Sequence, residues 1–251
     1  MRGRVIPLSR PRRVIADLMH FSARVPSVPV QRRMNIAPLQ DRRAALAERP
    51  SWAAIFTKAF ALVAAEFPEL RRAYCKFPWP HLYEYPTSVA TIMMEREYRG
   101  EQAVFGLLVK DPARRAVAQL SRSLNAARTA EVAEVDDFRR ALWVAGLPRP
   151  LRRLLWWVGL NVGRQRANYF GTFGVSAYSA LGAESLHPLS PLTCTLNYGV
   201  IAPDGTVDVR LIYDHRVTDG PTIARALVRL ERVLNTSLCG ELTSLPSATA
   251  A

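Results

Sequence analysis

Cysteine is scarce in this chain: Cys75, Cys194 and Cys239 are the only three among 251 residues, and no two of them form a CxxC pair. An odd, scattered set builds neither a disulfide framework nor a structural zinc site, so buried or free thiols are expected. Lysine is equally rare, at Lys58, Lys76 and Lys110 only. The apolar runs are short, such as Leu154 to Leu160, and fall far below the roughly 20 residues of a membrane-spanning helix. Residues 1–13 carry charge and two prolines instead of the apolar centre of a secretory leader. A cytoplasmic location is the expectation by default. No glycine-rich phosphate loop, internal repeat, low-complexity tract or serine-rich linker occurs. His20, His81 and His187 have no metal-ligand spacing, so no metal is expected.

What is present is apolar material for a substantial core, 49% of the residues, which excludes disorder throughout and makes one domain over residues 1–251 the economical reading. The net charge is +13, and it is local. Residues 1–50 hold eleven arginines against three acids, and residues 139–170 hold seven arginines and no acid. Clustered arginine implies an anionic partner: a nucleic acid, an acidic lipid surface, or a phosphate-bearing small molecule or carrier. Composition does not choose among them. No groove-reading or base-stacking motif is present, so nucleic acid is not the expected partner.

The pattern along the chain is mixed α and β. Val14, Ile15, Leu18, Met19 and Phe21 have near-helical spacing within Arg10 to Arg24, and Pro26 and Pro29 end that helix. Ser51 is the N-cap candidate of a largely buried helix that stops before Pro68. Residues 76–88, rich in proline and aromatics, suit an ordered loop. Strands are expected over 87–94 and 103–109, and a helix over 112–128. Two further strand-like runs, 193–201 and 206–213, flank Ala202-Pro203-Asp204-Gly205, a strong hairpin turn. A helix with the stripe Ile223, Ala226, Leu227, Leu230, Val233 and Leu234 follows. Between the last strand and this helix lies a polar loop with Asp214, His215, Arg216, Asp219 and Gly220. A histidine held there suits a general base, because its ordinary pKa is near neutrality. Taken alone it fits a structural or solvated role at least as well.

Resemblance shifts that balance. Tyr213 to Gly220, YDHRVTDG, resembles the HxxxDG signature of the chloramphenicol acetyltransferase-like fold, in the DHRxxDG form of the acyltransferase (E2) cores of 2-oxoacid dehydrogenase complexes. LSRPRRVIADLMHFSARVPSVPV is similar to that family's opening helix, and GTFGVSAYSALG to its GTFTISNLG-like strand, in the family's chain order over about residues 8–240. The resemblance implies an α/β two-layer sandwich with a mixed β-sheet. It also implies a homotrimer whose active sites lie between subunits, His from one and Ser from its neighbour. His215 would be the base and Ser176 the hydrogen-bond donor to the tetrahedral oxyanion; the other reading of Ser176 is a strand serine paired with backbone. Asp219 would be structural, ion-paired with Arg12 or Arg13, and Asp214 merely solvated.

Departures from the pattern are Gly174 and Ala177 beside the serine. No lipoyl or subunit-binding domain fits within this length, so the thioester donor is open among acyl-CoA, an acyl carrier protein and a lipoyl arm from another chain. No permanently bound cofactor is implied. The expected activity is acyl transfer from a thioester to an acceptor of unknown identity, a lipophilic one included; the alternative is a catalytically silent E2-like trimeric scaffold or binding protein. Residues 139–170 form a basic, aromatic insertion relative to the family. Within it, two readings of Pro148 to Phe170 stay open. One is a helix lying on an anionic membrane at the inner face, with Arg152, Arg153, Trp156 and Trp157 as lipid contacts. The other is core packing, with the arginines serving coenzyme A phosphates.

Overall fold

The computed structural model describes residues 3–176 and 182–247. Helix α1 (Arg10–Ser22) starts where the Ser9 hydroxyl accepts from the Arg12 N–H and Pro11 occupies the first turn. It leads through Pro26 into β1 (Ser27–Asn35). After the short α2 (Ala37–Ala44), the Ser51 hydroxyl caps α3 (Trp52–Glu66), as its sequence implied. Expected strands and helices follow as β4 (Val89–Tyr98), β5 (Glu101–Lys110) and α4 (Val117–Thr129). Before them, Arg72–Cys75 (β2) pairs antiparallel with His81–Glu84 (β3). The expected loop over 76–88 therefore contains a strand, whose alternation is too short to stand out between Pro80 and Pro86.

The basic stretch expected to be an insertion folds as three helices: α5 (Asp136–Gly146), α6 (Arg149–Asn161) and α7 (Gly163–Phe170). Strand β6 (Phe173–Ser176) comes next. The expected hairpin is formed by β7 (Cys194–Tyr198) and β8 (Thr206–Asp214), with Gly205 at φ +79° in the turn. Helix α8 (Gly220–Val233) then continues through a π-turn into α9 (Cys239–Thr243).

Six strands form one mixed sheet in the order β1-β8-β7-β6-β4-β5; β4, β6 and β7 run parallel and the other pairings are antiparallel. The period-2 alternation of each strand sends Phe173, Val175, Leu196, Val209, Leu211 and Tyr213 to one face, against α3 and α8. Phe60 of α3 meets Phe173 at 4.7 Å, and Phe56 stacks on Tyr198 at 4.2 Å. The bidentate Glu66–Arg229 pair ties α3 to α8 at the rim. On the other face, at the β4–β5 end, α1, α5 and α7 cover the sheet, and α6 packs on α1, α7 and β2. Helix α5 also shields the outer edge: Asp137 accepts from the Leu108 N–H at 2.9 Å, a donor that an uncovered edge strand would leave open.

Candidate active site

His215 follows β8 directly. Its backbone N–H donates to the Pro26 carbonyl at 3.1 Å, fixing it to the connection between α1 and β1. Asp214 before it is buried, not solvated as expected. Its carboxylate accepts from the backbone N–H, Nε and a terminal nitrogen of Arg216, at 3.0, 2.9 and 2.7 Å. The Arg216 guanidinium lies over the Tyr74 ring at 4.4 Å. These contacts make the turn rigid while the His215 imidazole stays half-exposed. Asp219 opens α8, its carbonyl accepting from the N–H groups of Thr222 and Ile223.

The Asp219 carboxylate is largely exposed and sits 3.5 Å from His215 Nδ1. The expected ion pair with Arg12 or Arg13 is not formed within the chain. Arg13 Nε donates to the Leu8 carbonyl, and Arg12 approaches Glu101 at 4.0 Å. The reason is the direction of α1. Its C-terminal end adjoins the His215 loop, and its first turn lies about ten residues, roughly 15 Å, further away.

Ser176 ends β6, buried, on the face of the sheet opposite the one that Phe173 and Val175 turn to the core. Its carbonyl accepts from Asn197 Nδ2 at 2.7 Å. Behind it lies a buried polar group: Arg210 donates to Gln31 Oε1 at 2.6 Å, to Glu184 Oε2 at 2.9 Å and to Asn197 Oδ1 at 3.5 Å. Such a satisfied network fixes its members in place. Asn197, Arg210 and Glu184 were not singled out from the sequence, although an Asn and an Arg within otherwise apolar strands are the signal that finds them. Ser176 lines a cleft of about 270 Å³ between α1 and the sheet, together with Ile15, Leu18, Met93 and Thr195. The Thr195 hydroxyl is buried with no hydrogen-bond partner among the described residues. The substitution to Gly174 has a physical counterpart here, since a Cβ at that position would stand 3.2 Å from Thr195 Oγ1. Ala177 lies outside the described residues.

Strand register fixes how far apart the two principal candidates are. Ser176 is level with Asn197 and Arg210, whereas His215 lies beyond Asp214, whose partner across the ladder is Thr193. Five residues along the strand and two strands across amount to roughly 15–20 Å. The His215 imidazole and the Ser176 hydroxyl of one chain therefore do not share a site, since a base must come within about 3 Å of the proton it takes.

Burial in helix α6 overturns two of the four expected lipid contacts, Arg152 and Trp156, and a third, Arg153, is drawn to the interior by an acid. Arg152 is buried and bonds Asp17 through Nε at 2.7 Å, and Arg153 Nε lies 2.9 Å from the other oxygen of the same buried carboxylate, close enough for an ion pair but without hydrogen-bond alignment. Trp156 is 9% exposed, stacked on Phe21 and packed against Phe170. Arg153 keeps partial exposure, and Trp157 is exposed, edge-on to Phe77. Spacing identifies an amphipathic helix, but the buried countercharge at Asp17 decides that the arginine face turns inward.

Burial also sets the titration of the interior. It pushes the Cys75 and Cys194 thiols and the Tyr85 and Tyr198 hydroxyls upward, and it lowers Arg166. Arg166 donates to the carbonyls of Tyr74, Leu160 and Pro191.

No protein-family model matches the chain, and no curated protein matches it. Solved structures do. A probable dihydrolipoamide acetyltransferase from Listeria monocytogenes superposes with a TM-score of 0.66 at 17% identity, over 99% of this chain and 98% of that one. A dihydrolipoamide acetyltransferase from Azotobacter vinelandii gives 0.69 at 18% identity, over 94% and 93%. A chloramphenicol acetyltransferase gives 0.51 at 14% identity, over 93% and 100%. The six-stranded mixed sheet and its helices thus have the fold shared by the dihydrolipoamide acetyltransferase catalytic cores and chloramphenicol acetyltransferase.

Proposed function

We propose that this protein transfers an acyl group from a thioester to a nucleophilic acceptor, at sites built between copies of the chain in a homotrimer. His215 takes the proton of the acceptor hydroxyl, thiol or amine as its heteroatom attacks the thioester carbonyl. The tetrahedral oxyanion receives a hydrogen bond from Ser176 of a neighbouring copy, with the Thr195 hydroxyl in the same cleft as a second donor. Collapse re-forms the carbonyl, breaks the C–S bond and returns the proton from the imidazolium to the departing thiolate. Acyl-CoA is the donor taken here, acting as co-substrate and not as a resident group.

The observation that carries this reading is the His215 loop, a half-exposed imidazole on a turn immobilised by buried Asp214 and Arg216. It stands on a fold shared with acetyltransferases. The Azotobacter protein was studied for the roles of a serine, a histidine and an asparagine in its mechanism; Ser176, His215 and Asp219 are their counterparts in this proposal. Incubation with acetyl-, octanoyl- and dodecanoyl-CoA in the presence of cell extract, with release of free thiol as the readout, tests it. Thiol release that requires extract and vanishes in His215→Ala is expected; equal release by the variant overturns the assignment.

A further inference from the structure

A second cavity, of about 660 Å³ and open to solvent on one side, lies between α1, α5, α6 and α7 and the face of β4 and β5 that carries Thr91, Met93, Val104 and Leu108. That volume is in the range of small-molecule sites, about 300–1,000 Å³. It adjoins the Ser176 cleft: Ile15, Leu18, Met93, Val104 and Ser190 line both. Two glycines set how closely its walls approach one another. A Cβ at Gly106 would come within 2.9 Å of Thr91 Cγ2, and one at Gly159 within 2.8 Å of the Phe170 ring.

Most of the wall is apolar, with Val14, Ile15, Leu18, Val104, Leu155 and Trp156 among its residues, and several of its polar groups are already engaged with the protein. Asp17 is neutralised by Arg152 and Arg153. Asp137 accepts from the Leu108 N–H and faces Arg140 at 3.8 Å. The Thr91 hydroxyl donates to the Phe170 carbonyl, and the Ser190 hydroxyl accepts from the Leu192 N–H. A charged or strongly polar occupant would lose its hydration for little return, whereas a hydrocarbon chain loses nothing and gains apolar contact.

We infer that this cavity holds the hydrocarbon chain of a medium- or long-chain acyl group, with the carbonyl end of that group in the Ser176 cleft. The inference rests on the proposed acyl transfer for the chemistry at the carbonyl, but the chain site itself is defined by the cavity. It gives helices α5 to α7 a task, the selection of acyl length.

Two measurements on the intact protein separate the cavity from the chemistry. Calorimetry with free dodecanoate reports occupancy without a thioester; a comparison of acetyl- and dodecanoyl-CoA reports transfer. Ala141→Trp and, as an independent variant on the same helix, Val144→Trp fill the cavity from α5; circular dichroism confirms that each is folded. One dodecanoate per chain is expected, weakened at least about tenfold in both variants, with the ratio of dodecanoyl to acetyl transfer falling by a similar factor. If acetyl transfer proceeds while dodecanoate fails to bind, or binds the folded variants as tightly as the unaltered protein, the chain site is wrong and acyl transfer stands. If dodecanoate binds and both variants weaken it, yet no donor supports transfer, the chain site stands and the proposed function falls.

Discussion

Ser176 closes β6 at one end of the sheet, and His215 leaves β8 at the other. The register between them, through Asn197 and Arg210, holds them roughly 15–20 Å apart in one chain. If both serve one reaction, two chains must supply them. Protein made with His215→Ala alone, or with Ser176→Ala alone, should be inactive. Co-assembled mixtures of the two should regain part of the activity, and sedimentation should give the mass of three chains. Full activity in a monomer would refute the shared site.

Replacing His215 by Ala should lower acyl transfer about 10²- to 10⁴-fold. The fold should survive, because the anchoring contacts of this turn come from the His215 backbone, Asp214 and Arg216 and not from the imidazole. A loss under about threefold with saturating donor would remove His215 from the role of base.

Ser176→Ala should lower turnover by roughly 10² to 10³ and leave the donor KM nearly unchanged, because an oxyanion contact gains strength only in the transition state. A raised KM with normal turnover would make the serine a ground-state contact.

The two acidic residues near α1 and the His215 loop should differ in stability. Asp17→Asn leaves Arg152 and Arg153 without their buried countercharge and should cost about 3–5 kcal/mol in chemical denaturation. Asp219→Ala breaks only an exposed 3.5 Å contact, worth about 0–1 kcal/mol. Equal losses in the two variants would contradict the geometry.

Buried thiols and phenols predict an alkaline limit. Cys75, Cys194, Tyr85 and Tyr198 have folded pKa values raised by burial. The unfolded chain therefore releases their protons first as pH rises. Stability is complete below the ordinary thiol pKa, about 8.5, and falls above it, by up to about 1.4 kcal/mol per pH unit for each affected group, the tyrosines joining near pH 10. Denaturation midpoints measured between pH 7 and 10.5 should decline accordingly, and Cys194→Ala should flatten the slope.

Much of the scaffold was legible in the chain because its signals are local. Ser51 before an apolar run, the Pro203-Asp204-Gly205 turn and the stripe from Ile223 to Val233 each specify an element through neighbours a few residues away. The His215 loop was legible for the same reason. What escaped depends on partners distant in sequence. Asp17 meets Arg152 across 135 positions, and only that meeting turns α6 inward. The Arg210–Asn197–Glu184 group, the exposed Asp219 and the cavity beside Ser176 also arise where separate elements come together. A pattern within one element can flag a polar strand residue such as Asn197 or Arg210, but not the partner it meets.

Arg166 ties helices α6 and α7 into the rest of the fold. From α7 it reaches the carbonyls of β2, of α6 and of the segment before β7 at once, while α6 neutralises an acid of the opening helix. Excising 149–170 would strip β2 and the segment before β7 of a common donor and strand the Asp17 carboxylate in the interior. The excised protein should lose its fold, because buried polar groups at Asp17 and Tyr74 would be left without their partners.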